Sequence, residues 1–339
     1  MSPISHQMLE TVPYLDVSNL HGRSVILMPL WDGEHWRVWF PLPDRIMETK
    51  IVDAVEIDYV AKEPASADDL LFPFVEFLWQ RACFPEVEHF IKAIGDDFHN
   101  MGTALAKLRH FHRMRSQLAH PIARRFIATE LEYFLVLARS VFDLLQEALA
   151  RLWNDRFRLT DDAADLLKRT HKLPASFSKI VRVNDGVFRT AGQIEERYAI
   201  PPVVAQAYEK SASFFAALRA SRDAIVHGGA SLHDFYVTEK GICVARDAKP
   251  FTTFAGWRQV SDGQEALVSI VPWLAEIVWR TVETCNGIVF SFASVLLFPP
   301  DVAPGYRIFS RGPCNSALSE VVRVREGGGV WWSDSDVGP

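Results

Sequence analysis

PEVEHFIKAIGDDFHNMGTALAKL, residues 85–108, carries the strongest structural signal in this chain of 339 residues. Its apolar side chains recur at alternating spacings of four and three residues, at Val87, Ile91, Ile94, Phe98, Met101, Leu105 and Leu108. Such spacing places the side chains along one face of a helix and predicts that this helix packs against another. Pro85 suits the first turn, and Pro121 is expected to end the helix at about His120 and to open the next one.

Further helices are predicted on the C-terminal side of this stretch. The segments with apolar side chains at helical spacing are residues 121–153, 201–226 and 263–298, with approximate ends. A short β hairpin or arm is expected at about 235–258, before the last of these helices. The sequence therefore predicts that most of the chain is an antiparallel helical bundle.

The N-terminal residues show a different pattern. Ser24–Trp31 and Glu34–Leu42 flank Asp32-Gly33, a dipeptide typical of tight hairpins, and Ile51–Val60 is a third strand candidate. We therefore expect a mainly α (α+β) protein. Its predicted parts are a β-rich N-terminal region at 1–64, a helical bundle with a β insertion at 65–298, and a C-terminal tail with weak structural signals at 299–339.

The composition is that of a globular protein, with 49% hydrophobic residues and a formal net charge of -6. Four widely separated cysteines, none in a CxxC pair, exclude a zinc ribbon and a disulfide scaffold. The N-terminus lacks a basic start followed by an apolar run. The longest apolar run, Gly287–Phe298, is shorter than the ~20 residues of a membrane helix. We expect a cytoplasmic protein that does not span a membrane.

The charge is unevenly distributed along the chain. Residues 98–129 contain six Lys or Arg side chains and no acidic one, so they carry +6, and the remainder carries -12 of the total of -6. Arg109, Arg113 and Arg115 lie in this interval and are candidates for binding RNA or another phosphate. The alternative is a solvated helix face that pairs with acidic side chains of the same protein.

The segment RDAIVHGG, residues 222–229, holds the side chains best suited to chemistry. Arg222 and His227 are separated by four residues near a helix end that two glycines are expected to close. Histidine transfers protons near neutral pH, and a guanidinium binds a phosphate and stabilises the charge that develops during its transfer. The pair therefore suits phosphodiester chemistry. The alternative is that Arg222 and Asp223 are ordinary surface charges and His227 caps the helix.

This segment resembles the Arg-polar-x3-His signature of HEPN domains, which are small α-helical bundles of prokaryotic toxins and defence ribonucleases. Ala138–Asp143 is similar to part of the first helix of such bundles, and Leu173–Phe177 is similar to a segment in their middle. The resemblance covers roughly residues 121–298, apart from the predicted β insertion. It extends neither to the N-terminal region nor to the tail.

The resemblance implies an endoribonuclease of the toxin or defence type that uses no metal and no cofactor. In that mechanism the RNA 2′-hydroxyl attacks the adjacent phosphate, in a cleft that two copies of the domain form together. Arg222 would then contact the scissile phosphate, His227 would transfer a proton or orient the phosphate, and Asp223 would steady the motif. Asp143 is a candidate supporting residue. Arg139 lies one helical turn before it, so an ion pair within the helix is the simpler interpretation of these two residues.

One departure from the family pattern is geometric. A five-residue step turns a regular helix by about 140°, so Arg222 and His227 share a face only if the helix ends or bulges between them. Many HEPN-like proteins bind without cleaving, so the alternative is a non-catalytic module for RNA, a nucleotide or a partner protein such as an antitoxin. No metal site is predicted, since neighbours such as His110 and His112 diverge on a helix.

Overall fold

The computed structural model describes residues 5–118, 120–184, 186–226, 235–238, 241–254 and 266–325. The helices in these ranges are α1 His6–Leu9, α2 Pro73–Ala82, α3 Glu88–Arg113, α4 His120–Arg151, α5 Asp162–Lys168, α6 Phe177–Val181, α7 Ala191–Tyr198, α8 Pro202–Val226, α9 Val271–Ala293 and α10 Asn315–Arg325. The strands are β1 Leu30–Trp31, β2 Trp36–Pro41, β3 Ile46–Ile51, β4 Ile57–Ala61, β5 Arg182–Asn184, β6 Val187–Phe188, β7 Tyr236–Thr238, β8 Gly241–Ala245, β9 Leu267–Ser269 and β10 Arg307–Arg311.

The predicted apolar face of α3 is confirmed. All seven of its side chains are buried, each with at most 1% of its surface exposed. They pack mainly against α4, which runs antiparallel to α3, and Lys107 Nζ lies 3.1 Å from Glu130 Oε1 across the pair. Burying an aliphatic side chain of this kind contributes about 1.5 to 3 kcal/mol, so this helix pair is a major source of stability.

Helix α4 lies at the centre of the helical layer. It contacts α3, α8 and α9, and a π-helical turn at Leu152–Arg156 extends it. The ring of Phe142 is fully buried and meets the rings of Phe177, Phe214 and Phe215 edge-on. The second half of α4 is therefore largely buried, with no exposed residue from 137 to 150, whereas the first half keeps an exposed face.

The N-terminal strands form a five-stranded sheet of order β10-β4-β1-β2-β3. The predicted hairpin at Asp32-Gly33 is confirmed, since β1 and β2 pair antiparallel with Trp31 opposite Trp36. Gly33 has a φ of +101°, a conformation that glycine adopts without strain. The third predicted strand is two strands, β3 and β4, separated by a loop. Strand β4 lies beside β1 and parallel to it.

The expected fold class is wrong, because the structure is a mixed α and β fold in which helices predominate. The tail at 299–339, predicted to have weak structure, supplies β10, which pairs antiparallel with β4 from Arg307 opposite Ala61 to Arg311 opposite Ile57. It also supplies α10, which packs on α3 and α9. Helix α9 is therefore not the last helix, and the sheet is built from both ends of the chain rather than appended to a helical bundle.

The predicted β arm before α9 corresponds to part of a second sheet. Strands β7, β8 and β9 pair antiparallel in that order. The third strand lies beyond the predicted limit of residue 258, and residues 255–265 lie outside the described residues. His112 of α3 contacts this sheet, because its Nε2 lies 2.8 Å from the carbonyl oxygen of Thr238.

One apolar core extends through the described part of the chain, from Val12 to Val321. A smaller cluster lies in the sheet, where Phe309 of β10 stacks on Tyr59 of β4 with ring centroids 5.7 Å apart. None of the helices in the described ranges combines the length and the apolar character that crossing a membrane requires.

The substitution Phe309→Ala tests whether the tail strand is part of the fold. Phe309 is 6% exposed, so its loss leaves a cavity beside Tyr59 and is expected to lower the free energy of unfolding by about 3 to 5 kcal/mol. Urea unfolding measures this difference. The matched control is Phe40→Ala in β2, because Phe40 is 49% exposed and its replacement is expected to cost about 1 kcal/mol or less. Equal losses in the two variants would contradict the observed position of β10.

Candidate functional site

A cleft of about 590 Å³ lies where α4, α6 and the end of α8 meet. Three of the predicted site residues, Arg139, Asp143 and Arg222, line it together. Helices α4 and α8 are distant in sequence but packed together, which brings Arg222 to the same cleft as the other two. Lys179 of α6 also lines the cleft. We call it the α4/α8 cleft.

The wall formed by α4 is the solvent-facing side of an otherwise buried helix. Arg139, Asp143 and Glu147 are spaced four residues apart and therefore follow one face. The ion pair expected between Arg139 and Asp143 is present, with Nε 3.8 Å from Oδ2. That separation is too long for a hydrogen bond, and Arg139 Nε is buried without a hydrogen-bond partner among the described residues.

Asp143 is a carboxyl of the cleft wall with a raised pKa. Burial raises the pKa of its carboxyl, and the nearby charge of Arg139 opposes that rise. A carboxyl with a raised pKa in a cleft is a candidate general acid or base, because it holds a proton closer to neutral pH than a solvated carboxyl does. A structural ion pair is the ordinary alternative for the same two residues.

Arg222 lies in the last turns of α8, and its side chain is 30% exposed. Its Nη1 donates to Asp223 Oδ1 over 3.3 Å. The carboxylate of Asp223 is also 3.6 Å from Arg219 Nε, so it is shared between two guanidinium groups. The negative charge of Asp223 therefore only partly neutralises the positive charge of Arg222. His227, the second residue of the predicted pair, lies outside the described residues.

The cleft has a small excess of positive charge. Three basic side chains line it, Arg139, Lys179 and Arg222, against the two carboxylates of Asp143 and Glu147. The three cations come from three different helices, which suits the binding of an extended anion rather than a single ion pair.

The basic interval at 98–129 does not contribute to this cleft. Arg109 Nη1 lies 2.5 Å from Glu320 Oε2 of α10, and Arg115 Nη1 donates to the carbonyl oxygen of His112. Arg113 is exposed near the end of α3. Glu130, which pairs with Lys107 of the interval, precedes Arg139 by nine residues, or roughly 13 Å along α4. Some of these basic side chains therefore form ion pairs or hydrogen bonds within the protein, as the alternative interpretation proposed.

Sequence reasoning missed two residues that shape the cleft. Lys179 belongs to no motif, although the segment Leu173–Phe177, which resembles part of a HEPN bundle, directly precedes it. Asp97 of α3 hydrogen-bonds Ser140, which lines the cleft, and burial raises the pKa of Asp97 to about 6. Its Oδ2 is buried, and no described residue forms a hydrogen bond with it. A half-buried carboxyl between two packed helices leaves no signature in sequence.

Comparisons with known proteins give no match: no family model, no curated protein and no solved structure is significantly similar to the chain. Within the described ranges, no group of three or more His, Cys, Asp or Glu side chains is arranged to hold a metal ion.

The raised pKa of Asp97 predicts how the free energy of unfolding depends on pH. Because its folded pKa of about 6 lies above the ordinary value of 3.8, ionising it penalises the folded state as the pH rises between these values. Asp97→Asn removes that penalty. We expect the variant to be more stable by about 1 to 2 kcal/mol near pH 7, allowing for solvent screening of a half-exposed group.

Urea unfolding of Asp97→Asn at a series of pH values measures the effect. The advantage is expected to shrink as the pH falls from about 7 to about 3, below both pKa values, where the wild-type carboxyl is protonated in both states. Asp44→Asn, at an exposed turn, is the control and is expected to change little. A stability difference independent of pH would show that the charge of Asp97 is not its cause.

Proposed function

We propose that the chain is an endoribonuclease of the toxin or defence type that cleaves RNA without a metal ion in the α4/α8 cleft. The observation that carries this proposal is the convergence of Arg139, Lys179 and Arg222, from three helices, on one cleft. The sequence motif that begins at Arg222 supplies the second argument, since it resembles the motif of HEPN ribonucleases. The proposal rests on this site and not on a HEPN-like fold.

In the proposed reaction the 2′-oxygen of RNA forms a bond to the adjacent phosphorus, and the bond from phosphorus to the 5′-oxygen of the next nucleotide breaks. One group takes the proton of the 2′-hydroxyl, and another protonates the leaving 5′-oxygen. The products are a 2′,3′-cyclic phosphate and a 5′-hydroxyl. Arg222 binds the non-bridging oxygens and stabilises the charge that grows on them in the transition state.

His227 and Asp143 are assigned to the two proton transfers. The sequence places His227 five residues after Arg222, and histidine is the side chain that commonly transfers protons near neutral pH. Asp143 lines the cleft together with Arg222, and burial raises the pKa of its carboxyl. Arg139 and Lys179 are assigned to binding the phosphates on either side of the scissile one. These contacts fix the position of the RNA along the cleft.

A second candidate function is the binding of RNA or a nucleotide without cleavage. One observation favours it: two carboxylates line the cleft beside the three cations, and Asp223 already engages Arg222. Such a mixed surface suits a ligand with few phosphates better than a long polyanion. The two candidates differ in turnover, which an RNA cleavage assay detects directly.

The first test measures cleavage of single-stranded RNA in the presence of EDTA. Wild-type protein is expected to produce 2′,3′-cyclic phosphate ends. Arg222→Ala and His227→Ala are each expected to lower the rate about 100-fold, because each removes a group that acts on the reacting phosphate. Circular dichroism confirms that the variants remain folded.

Arg219→Ala is the matched control for Arg222→Ala. Arg219 lies one turn earlier in α8 and pairs with the same Asp223, but it does not line the cleft. Its removal is expected to leave the cleavage rate within about threefold of wild type. Full activity in His227→Ala would sink the ribonuclease proposal, and RNA binding without turnover in the wild type would favour the second candidate.

We further propose that the chain forms a homodimer through α4. The solvent-facing stripe of its first half bears four apolar side chains, spaced by four, seven and three residues, that are 39% to 47% exposed: Ile122, Phe126, Tyr133 and Val136. Two copies of one helix can pair along such a stripe, because an isologous contact needs only one self-complementary surface. The stripe leads into the cleft at Val136, so a partner chain would lie beside it.

The double substitution of Ile122 and Tyr133 by Glu tests this interface. It places charges on the stripe and is expected to convert the dimer to a monomer in size-exclusion chromatography with light scattering. Leu166→Glu is the control, since Leu166 is 69% exposed on α5, outside the stripe, and is expected to leave the dimer intact. A wild-type protein that is monomeric at micromolar concentration would contradict the proposed dimer.

A further inference from the structure

Among the described residues that line the α4/α8 cleft, Glu147 is the charged side chain to which the proposed reaction assigns no role. It lies one helical turn beyond Asp143, or about 6 Å further along α4, and two turns beyond Arg139. Its side chain is 38% exposed, so its carboxylate is open to a ligand. A carboxylate repels a phosphate and accepts hydrogen bonds from N–H groups. This end of the cleft therefore favours a nucleobase over a phosphate.

The carboxylate of Glu147 is oriented by Arg151, one turn further along α4. Arg151 Nη2 donates to Glu147 Oε1 over 3.0 Å, and the guanidinium of Arg151 lies over the ring of Phe90, 5.1 Å from its centroid. A carboxylate accepts up to about four hydrogen bonds, so this contact leaves Glu147 able to accept others from a ligand. Arg151 itself does not line the cleft, and its role is to position Glu147.

The loop before α6 brings a hydroxyl to the same end of the cleft. Gln146 Nε2 donates to the carbonyl oxygen of Pro174 over 2.8 Å, and the hydroxyl of Tyr208 donates to Gln146 Oε1 over 2.6 Å. These two hydrogen bonds fix the loop beside the turn of α4 that carries Glu147. Ser176, which follows Pro174 by two residues, lines the cleft.

The hydroxyl of Ser176 does not cap the helix that it precedes. Ser176 occupies the N-cap position of α6 with an extended backbone, where a serine commonly accepts a hydrogen bond from the first turn of the helix. Its side chain makes no such bond here. The hydroxyl can therefore donate to a ligand in the cleft. Leu144 also lines the cleft, three residues before Glu147 and so beside it on α4, and offers an apolar surface to a flat ring.

Guanine is the nucleobase whose Watson–Crick edge matches these groups. Its N1–H and N2–H are adjacent donors that one carboxylate can accept together, and its O6 lies next to them and accepts from a hydroxyl. Adenine and cytosine present a ring nitrogen with a lone pair in place of the N1–H of guanine. Uracil presents a single N–H between two carbonyl oxygens. Each of these three bases would place an acceptor against the carboxylate of Glu147, which costs binding free energy.

We propose that the α4/α8 cleft selects RNA that carries guanine beside the scissile phosphate. Glu147 accepts the N1–H and N2–H of the base, Ser176 donates to its O6, and the ring packs on Leu144. This inference rests on the proposed function, because it names the nucleotide that the same site takes. Glu147 determines specificity in this account and takes no part in the proton transfers.

Cleavage of RNA oligonucleotides in the presence of EDTA tests this proposal. Each oligonucleotide is a run of uridines with one central guanosine, inosine or adenosine, and all-uridine RNA is the reference. With wild-type protein, we expect kcat/KM for cleavage beside guanosine to exceed that beside uridine by about tenfold or more. Inosine lacks the N2 amino group and forms one hydrogen bond fewer, so we expect its preference over uridine to be about threefold smaller or less.

Glu147→Gln is expected to bring the ratio of kcat/KM at guanosine to that at uridine down to about one, since an amide cannot accept both N–H groups. The ratio is the informative quantity, because a general loss of activity cancels in it. Ser176→Ala is expected to lower the same ratio by about threefold. Glu132→Gln is the matched control: it is the same substitution in α4, at a residue that does not line the cleft, and we expect the wild-type ratio.

Equal kcat/KM at guanosine and uridine, or an unchanged ratio in Glu147→Gln, would overturn this proposal and leave the ribonuclease proposal standing. No cleavage of any RNA would instead overturn the ribonuclease proposal. Isothermal titration with guanosine 3′-monophosphate and uridine 3′-monophosphate then decides whether the cleft selects guanine. Binding of the guanosine nucleotide that is about tenfold tighter, and is lost in Glu147→Gln, would support the selection. Equal affinities, or no binding of either nucleotide, would overturn it.

Discussion

The burial of α4 is the constraint on which the rest of the structure depends. A helix of 32 residues packed against α3, α8 and α9 leaves only part of its surface open. The exposed face of the first half mixes apolar side chains such as Phe126 and Tyr133 with Arg125 and Thr129, and the second half, from Arg139 to Glu147, is charged. The position of α8 beside the charged half places Arg222 there. The cleft is therefore a consequence of helix packing and not of a local loop motif.

The helical core and part of the site could be predicted from the sequence. The α3 seam was correct at every position because a 3.6-residue period is a local property of the chain. The wrong fold class has the opposite cause: β10 pairs with β4, about 250 residues earlier, and no local pattern records such a partner. Among the site residues, the sequence predicts Arg222, Arg139 and Asp143, whereas Lys179 becomes apparent only from the position of α6 in the fold.

The charged side chains are unevenly distributed over the structure, and the net charge of -6 does not reveal this. Some basic side chains of residues 98–129 form ion pairs with acidic side chains of the same protein, such as Arg109 with Glu320. The α4/α8 cleft, by contrast, has a small excess of basic side chains, contributed by α4, α6 and α8. A chain of mildly acidic composition can therefore contain a locally basic cleft.

The central claim is that the α4/α8 cleft binds the phosphodiester backbone of RNA. A crystal structure with a single-stranded RNA that carries 2′-O-methyl groups, and so cannot be cleaved through the 2′-oxygen, tests it most directly. The account predicts a phosphate within hydrogen-bond distance of the Arg222 guanidinium, with flanking phosphates near Arg139 and Lys179. Ordered RNA bound along Arg109, Arg113 and Arg115, with an empty cleft, would contradict it.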